Sequence, residues 1–233
     1  MVAPDETTAP AALTAAILAR RSVRMGFSDR PVERNILETV IACGMAAPSS
    51  KNARPWRLHV VTSRHGLDAI ADAADAADDA DTYVPPDPLT GEPSPHFSST
   101  VRESADVLRQ VPCAIALENR GVYIRDTAWL SGRPPAIIAR TLTAYGLEMM
   151  GLGTALENMW LAASALGVSA AFLGDLAIAT DAAKTQWGLE GDLVGILALG
   201  YSSATPPPRR EPVPSTQAVS PVVWHEEPPT ARP

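Results

Sequence analysis

The sequence segment with the clearest chemical potential is RRSVR, residues 20–24, which gathers Arg20, Arg21 and Arg24 around Ser22. Guanidinium groups bind phosphate through paired, charge-assisted hydrogen bonds, and a serine hydroxyl adds a further donor. The same residues also suit a solvated helix end, because cations favour helix C-termini and the preceding AALTAAILAR is typical of a helix. On this segment alone, an anion site and a helix end both stay open.

A second segment, APSSKNARPW at residues 47–56, is rich in short hydrogen-bonding groups. It offers the Ser49 and Ser50 hydroxyls, the Asn52 amide and the backbone N–H groups of an irregular path. Such a loop can bind the edge of a heteroaromatic ring or a ribityl chain. Turns of this composition are also common without any ligand, so this segment alone is a weak indication.

The remaining reactive residue types form no catalytic motif. The histidines are scattered, and neither a serine nor a cysteine lies in a recognisable nucleophile motif. His59 alternates within a predicted strand and is interpreted as structural. His96 lies in a long loop and is the one histidine considered for proton delivery. No residue is therefore assigned a catalytic role.

An acidic, alanine-rich stretch, GLDAIADAADAADDAD, predicts a helix over 66–81. Its aspartates at helical spacing could form a metal-binding face, but alanine-rich acidic helices are usually just solvated. We therefore predict no metal site. The aspartates concerned are Asp68, Asp72, Asp75 and Asp79.

The composition excludes several classes of protein. The 233-residue chain has a formal net charge of -7, which argues against nucleic acid as a partner because such binding needs a basic face. Its start carries acids where a signal peptide would carry bases, and no stretch approaches the ~18 apolar residues of a membrane span. Cys43 and Cys113 lie in apolar stretches and are predicted to be core residues. A cytoplasmic protein without a membrane partner is expected.

The elements that must position these segments alternate between helices and strands, which favours an α/β or α+β sandwich. Pro31 fits the first turn of the second helix, whose apolar residues form one stripe. The predicted helices are 11–20, 31–46, 66–81 and 136–166, and the predicted strands are 56–62, 111–117, 168–174 and 192–201.

Prolines cluster outside these elements and indicate the domain organisation. We expect a flexible N-terminus over 1–12, a single domain over 13–203 and a proline-rich arm over 204–233. Within the domain, residues 82–100 are predicted to form a long loop, and loops of this length often act as lids or binding loops.

The long predicted helix contains Gly146, Gly151 and Gly153, which would destabilise an isolated helix. Close contact with another helix, as at a subunit interface, would compensate for them. A break in the helix would explain them equally well, so both interpretations stay open.

The motifs in their order resemble the nitroreductase family of flavin mononucleotide (FMN)-dependent oxidoreductases. RRSVR is followed by a PV helix start, by APSSKNARPW before a strand, and later by GLGTALENMWLAASALG, LALGY and PPPRRE. The resemblance covers roughly residues 15–65 and 145–212. It implies an α+β sandwich with a central mixed or antiparallel sheet flanked by helices. It further implies an intertwined homodimer with two FMN sites, each built from both subunits.

The resemblance also implies a set of FMN-binding residues. Those expected at the phosphate and ribityl end are Arg20, Arg21, Ser22 and Arg24, joined by Gly200 and one of Arg209 or Arg210. Those expected to pack against the flavin, typically from the other subunit, are Pro48, Ser49, Ser50 and Asn52. The segment expected to offer a main-chain N–H to the ring nitrogen that accepts hydride contains Leu173 and Gly174.

The implied activity is hydride transfer from NAD(P)H through the flavin to a small acceptor, such as a nitroaromatic, quinone or enone, in a ping-pong cycle. Three alternatives compete with it. One is a flavin-dependent oxidase or dehydrogenase that uses O2 to oxidise a small metabolite or peptide intermediate. The others are a non-catalytic protein that sequesters flavin and an interaction module that binds no flavin.

The sequence departs from the family pattern at three positions. One extra residue in RRSVRMGF displaces Phe27. Arg54 stands where glutamine often precedes PW, and Lys51 adds a second charge. These two cations could be salt-bridged surface groups, or they could stabilise the anionic reduced flavin. Residues 66–135 match no family motif and are expected to contain the substrate-selecting groups.

Overall fold

A four-stranded antiparallel sheet forms the centre of the protein, in the strand order β1-β2-β4-β3. The computed structural model describes residues 9–124, 127–205 and 208. The strands are β1 (Trp56–Val61), β2 (Cys113–Asn119), β3 (Ser169–Leu173) and β4 (Asp192–Gly200). The helices are α1 (Ala9–Ala19), α2 (Arg34–Met45), α3 (Arg64–Asp75), α4 (Val101–Gln110), α5 (Pro135–Ala165) and α6 (Thr180–Trp187).

Helices cover both faces of the sheet and create two separate cores. Residues of α3, α4 and α6 pack on one face, and residues of α2 and α5 pack on the other. Strand β2 is buried on both faces: Ala114 and Ala116 belong to the first core, while Ile115 and Leu117 belong to the second. Each fully buried Leu or Ile side chain contributes about 1.5–3 kcal/mol. The predicted α+β sandwich is confirmed.

The second helix begins later than predicted, at Arg34 rather than at Pro31. Glu33 is extended, and its carboxylate accepts hydrogen bonds from the Tyr201 hydroxyl at 2.5 Å and from Arg30 at 2.6 Å. These bonds, led by the one from Tyr201, lower the pKa of Glu33 to about 2. Tertiary contacts therefore hold residues 30–33 out of the helix.

The acidic helix is shorter than predicted, because α3 ends at Asp75 and leaves Asp79 in the turns that follow. Carboxylates near a helix C-terminus oppose the helix dipole, which disfavours extension through this acidic stretch. Asp72 and Asp75 accept hydrogen bonds from Arg109 at 2.8 and 2.6 Å. Among the described residues, no group of three or more acidic, histidine or cysteine side chains is arranged to hold a metal ion.

Helix α5 is continuous through all its glycines, so the helix-break interpretation is wrong. A Cβ atom on Gly151 would lie 3.1 Å from Pro55 Cγ, whereas one on Gly146 or Gly153 would meet nothing within 4 Å. Gly151 thus permits close packing inside the protomer.

In the described part of the chain, no helix is both long and apolar enough to cross a lipid bilayer.

The two cysteines are free thiols with different environments. Cys113 on β2 is buried, and this burial raises the pKa of its thiol to about 12. Cys43 on α2 is only partly buried. The prediction of core residues therefore holds fully for Cys113 and in part for Cys43.

Candidate functional site

The RRSVR segment runs beside β3, at one edge of the sheet. The Val23 N–H donates to the Ala170 carbonyl at 3.0 Å, and the Val23 side chain is buried. Its neighbours Ser22 and Arg24 line a cavity of about 490 Å³, which we call the arginine pocket. Its other walls come from α4 and from the chain beyond β4, and they include Glu103, Asp106, Ala204 and Thr205.

The arginine pocket contains charges of both signs. Within the described residues the Arg24 guanidinium forms no hydrogen bond or ion pair, so its charge is available to a ligand. Asp106 accepts a hydrogen bond from Arg109 at 3.1 Å. Glu103 faces the same cavity from the first turn of α4. The pocket can therefore bind an anionic group at Arg24 and accept hydrogen bonds from hydroxyl or N–H groups at its carboxylates.

Arg20 and Arg21 point away from the arginine pocket. The Arg20 guanidinium lies 4.2 Å from the Trp160 ring centroid, and its Nε lies 3.2 Å from a Glu157 carboxylate oxygen. Arg20 Nη1 is buried and has no hydrogen-bond partner among the described residues. Arg21 donates to the Leu18 and Arg20 carbonyls, both at 2.8 Å. Arg21 thus meets the C-terminus of α1, as the helix-end interpretation predicts.

The 48–54 loop precedes β1, at the opposite edge of the sheet. Three of its residues other than glycine have left-handed backbone conformations: Lys51 with φ 51°, Asn52 with φ 53° and Arg54 with φ 48°. This conformation costs an L-residue about 1–2 kcal/mol, and such strain is concentrated at functional sites. The Ser49 hydroxyl accepts a hydrogen bond from the Arg54 N–H at 2.9 Å and holds the loop in this form.

Two neighbouring segments hold the 48–54 loop in place through hydrogen bonds. Thr154 of α5 donates to the Pro48 carbonyl at 3.0 Å, and the Tyr123 hydroxyl donates to the Ser50 carbonyl at 3.0 Å. The Tyr123 N–H in turn donates to the fully buried carboxylate of Glu148 at 2.6 Å. Glu148 therefore orients the segment that holds the loop.

Lys51 and Arg54 are exposed and form no ion pair with any described residue. The Arg54 Nε donates to the Asn52 side-chain oxygen at 3.2 Å. Among the described residues these two cations therefore have no salt bridge, and their charges are available to a ligand or a partner.

The end of β3 opens into a second cavity of about 700 Å³, which we call the aromatic cleft. One wall is Gly174 and Asp175, and the facing wall comes from the 82–100 segment, which forms no helix or strand. The N-terminus of α4 separates the two cavities, since Thr100 lines the aromatic cleft and Glu103 lines the arginine pocket. Leu173 is buried.

The chain leaving β4 is fixed by tight packing. A Cβ atom on Gly200 would lie 2.8 Å from Pro112 Cδ and 2.9 Å from Phe27 Cδ1, so this position requires glycine. Phe27 forms an isolated bridge with Ser202, which sets the course of the chain towards the arginine pocket. Arg209 and Arg210 lie outside the described residues.

The histidines differ in their surroundings. His59 Nε2 lies 2.7 Å from Glu118, a carboxylate only 1% exposed that also accepts from the Gly191 N–H at 2.7 Å. Burial alone raises the pKa of Glu118, but the hydrogen bonds from His59, Gly191 and Glu190 outweigh it and lower the pKa. His59 is therefore structural. His96 is exposed and lies outside the lining of both cavities.

Several lining residues were not predicted from the sequence, although signals for them exist. Helix α4 was missed, yet Val101, Ala105 and Leu108 at helical spacing mark its buried face. That periodicity places Glu103 and Asp106 on its other side. Glu148 is an acid flanked by Leu147 and Met149 in a long, largely apolar helix, a pattern that points to a buried hydrogen-bonded role.

Comparisons with known proteins agree with the resemblance noted in the sequence. The profile described as Nitroreductase family matches residues 17–201. Nitrobenzene nitroreductase of Ectopseudomonas oleovorans is 24% identical over 195 residues, which cover 80% of this chain and 86% of that protein.

Two solved structures share the fold. A protein from Desulfovibrio desulfuricans, assigned to the nitroreductases and solved in complex with FMN, has a TM-score of 0.59 and 19% identity. That comparison covers 90% of this chain and 97% of the other. The NADPH:FMN oxidoreductase of Vibrio harveyi, solved with NAD+, has a TM-score of 0.61 and 18% identity, covering 92% of this chain and 78% of the other.

Proposed function

Because the chain belongs to the nitroreductase family, we propose that it is an FMN-dependent oxidoreductase that passes electrons from NAD(P)H to a small organic acceptor in a ping-pong cycle. The observation that carries this proposal is the arginine pocket. It combines the guanidinium of Arg24, a hydroxyl and two carboxylates in a cavity of about 490 Å³, a size typical of ligand sites. FMN, when bound, supplies the hydride chemistry, while the protein binds and orients it.

The residues of the pocket suit the polar end of FMN. Arg24 and Ser22 would hold the phosphate, with Arg209 or Arg210 as further cations from the C-terminal arm. Glu103 would accept a hydrogen bond from a ribityl hydroxyl.

The 48–54 loop is proposed to reach the flavin of the partner subunit in a homodimer. The loop lies at the β1 edge and the RRSVR segment at the β3 edge of the same sheet. Three strand spacings, about 14 Å, separate these edges, an arrangement that suits a ligand held by one segment from each of two subunits.

Exposed apolar side chains support the same assembly. They occur on α1 and on the first half of α5, where Ile17, Leu142 and Met150 are 44%, 51% and 70% exposed. Apolar groups clustered in this way mark interaction surfaces. Gly146 and Gly153 lie on the same helix with open space above them, which allows close approach of a second helix.

A visible absorption spectrum of the purified protein tests the proposal. It is recorded anaerobically before and after the addition of NADPH, and separately NADH. We expect a flavin spectrum that bleaches with at least one nucleotide. A flavin spectrum that neither nucleotide bleaches would favour an oxidase or a flavin-sequestering protein. Absence of flavin after reconstitution with FMN would overturn the proposal.

A further inference from the structure

The aromatic cleft has features of a binding site for a flat organic compound. Its outer wall consists of Tyr83, Pro85, Pro86 and Phe97 from the 82–100 segment. The Phe97 side chain is 45% exposed, so its ring is available for stacking. Aromatic and proline rings offer flat apolar surfaces that suit another aromatic ring. The shape and lining of the cleft therefore favour an aromatic ligand.

The described lining of the cleft carries only negative charge. Asp175 is the only charged residue in its described lining, which contains no lysine, arginine or histidine. The Asp175 Oδ2 accepts a hydrogen bond from the Thr100 hydroxyl at 2.6 Å, which fixes the carboxylate at the inner wall. The pKa of Tyr83 is raised by burial and by the nearby charges of Asp79 and Asp175. A ligand in the cleft therefore meets negative charge and a neutral phenol.

We propose that the aromatic cleft binds the electron acceptor and selects neutral or cationic aromatic compounds against those that carry a carboxylate, with Asp175 as the selecting charge. The inference rests on the proposed function. It deepens that function because Gly174 belongs both to the cleft and to the segment predicted to face the flavin ring. A carboxylate brought into the cleft would meet like charge, whereas an ammonium group would gain an ion pair.

The reaction of a nitroaromatic acceptor balances with the reductant already named. One NAD(P)H is oxidised to NAD(P)+ and supplies two electrons and one proton, and solvent supplies a second proton. One N–O bond of the nitro group breaks, and the products are a nitroso compound and water.

The test compares three acceptors that differ in charge: nitrobenzene, 4-nitrobenzoate and (4-nitrobenzyl)trimethylammonium. With the FMN-loaded full chain and saturating NADPH, we expect kcat/KM for 4-nitrobenzoate to be at least about tenfold below the values for the other two. Asp175→Asn keeps the hydrogen bond from Thr100 and should bring the three values towards one another. Asp181→Asn, an exposed change on α6, is the matched control and should leave the ratios unchanged.

A redox-inert pair of ligands separates failure of this inference from failure of the proposed function. Benzyltrimethylammonium and benzoate are titrated calorimetrically into the protein with and without FMN. We expect tighter binding of the cation, and loss of that preference in Asp175→Asn. Equal or tighter binding of benzoate, or a preference unchanged by Asp175→Asn, overturns the inference. Lack of flavin binding instead overturns the proposed function, while the inert pair still decides whether the cleft selects by charge.

Discussion

At the residue scale, the arginines of RRSVR have three different environments. Arg24 faces the arginine pocket without a partner in the described part of the chain, Arg20 is held by Trp160 and Glu157, and Arg21 meets the end of α1. The helix-end interpretation therefore fits Arg21, while the anion-site interpretation stays a prediction for Arg24. Spacing alone did not separate them, because the directions of the side chains depend on β3 and α5.

Arg24→Ala should weaken FMN binding about 10- to 100-fold, since a hydrogen bond to a charged group contributes about 1.5–3 kcal/mol. The dissociation constant is measured by quenching of flavin fluorescence. Arg34→Ala is the control, because Arg34 is an exposed arginine whose Nε lies 2.8 Å from Glu38 on the same helix. Equal FMN affinity in the two variants would remove Arg24 from the site.

Glu118 is predicted to make stability depend on pH. Its pKa is lowered in the folded protein, so its contribution is complete above the unfolded value of about 4.3 and is lost as the pH falls through the folded value. Glu118→Gln should therefore reduce the free energy of unfolding by about 1–3 kcal/mol at pH 7, and by progressively less below pH ~4.3. Urea unfolding at several pH values measures this difference. The exposed change Glu38→Gln should show almost no effect, and a constant loss across pH in Glu118→Gln would contradict the assignment.

At the element scale, the 48–54 loop is held in a strained form by the elements around it. Lys51→Gly should be more stable than Lys51→Ala by about 0.5–1 kcal/mol, because only glycine adopts a positive φ without strain. Both variants lose the same charge and differ only by the alanine Cβ atom, so their difference reports mainly on the backbone conformation. Chemical denaturation provides the comparison, and greater stability of the alanine variant would show that the loop is not left-handed at this position.

The elements that follow local patterns were predictable from the sequence. Helix α5 and strand β1 agree with their predicted ranges within one residue, because their apolar periodicity and flanking prolines are strong. The start of α2 was wrong because Tyr201, distant in sequence, holds Glu33 in an extended conformation. The aromatic cleft was not predictable, since its walls come from segments more than 70 residues apart, as the Thr100–Asp175 bond shows.

At the scale of the whole molecule, the proposed dimer depends on the exposed face of α5. Gly153→Trp should prevent close approach of a second helix, so the protein should elute as a monomer and lose FMN. Light scattering coupled to size-exclusion chromatography measures the mass, and absorbance measures the flavin. Asp181→Trp places the same side chain on α6, which packs on the other face of the sheet, and should leave both unchanged. A dimeric Gly153→Trp protein with full flavin content would exclude this interface.

The position of the two predicted FMN-binding segments at opposite edges of one sheet has a thermodynamic consequence. In the proposed dimer, a ligand that contacts both segments bridges two chains, so binding, association and folding become linked equilibria. The melting temperature should then rise with the concentration of FMN and also with that of the protein itself. Dilution alone would release the ligand, and occupancy of one site would raise the affinity of the other.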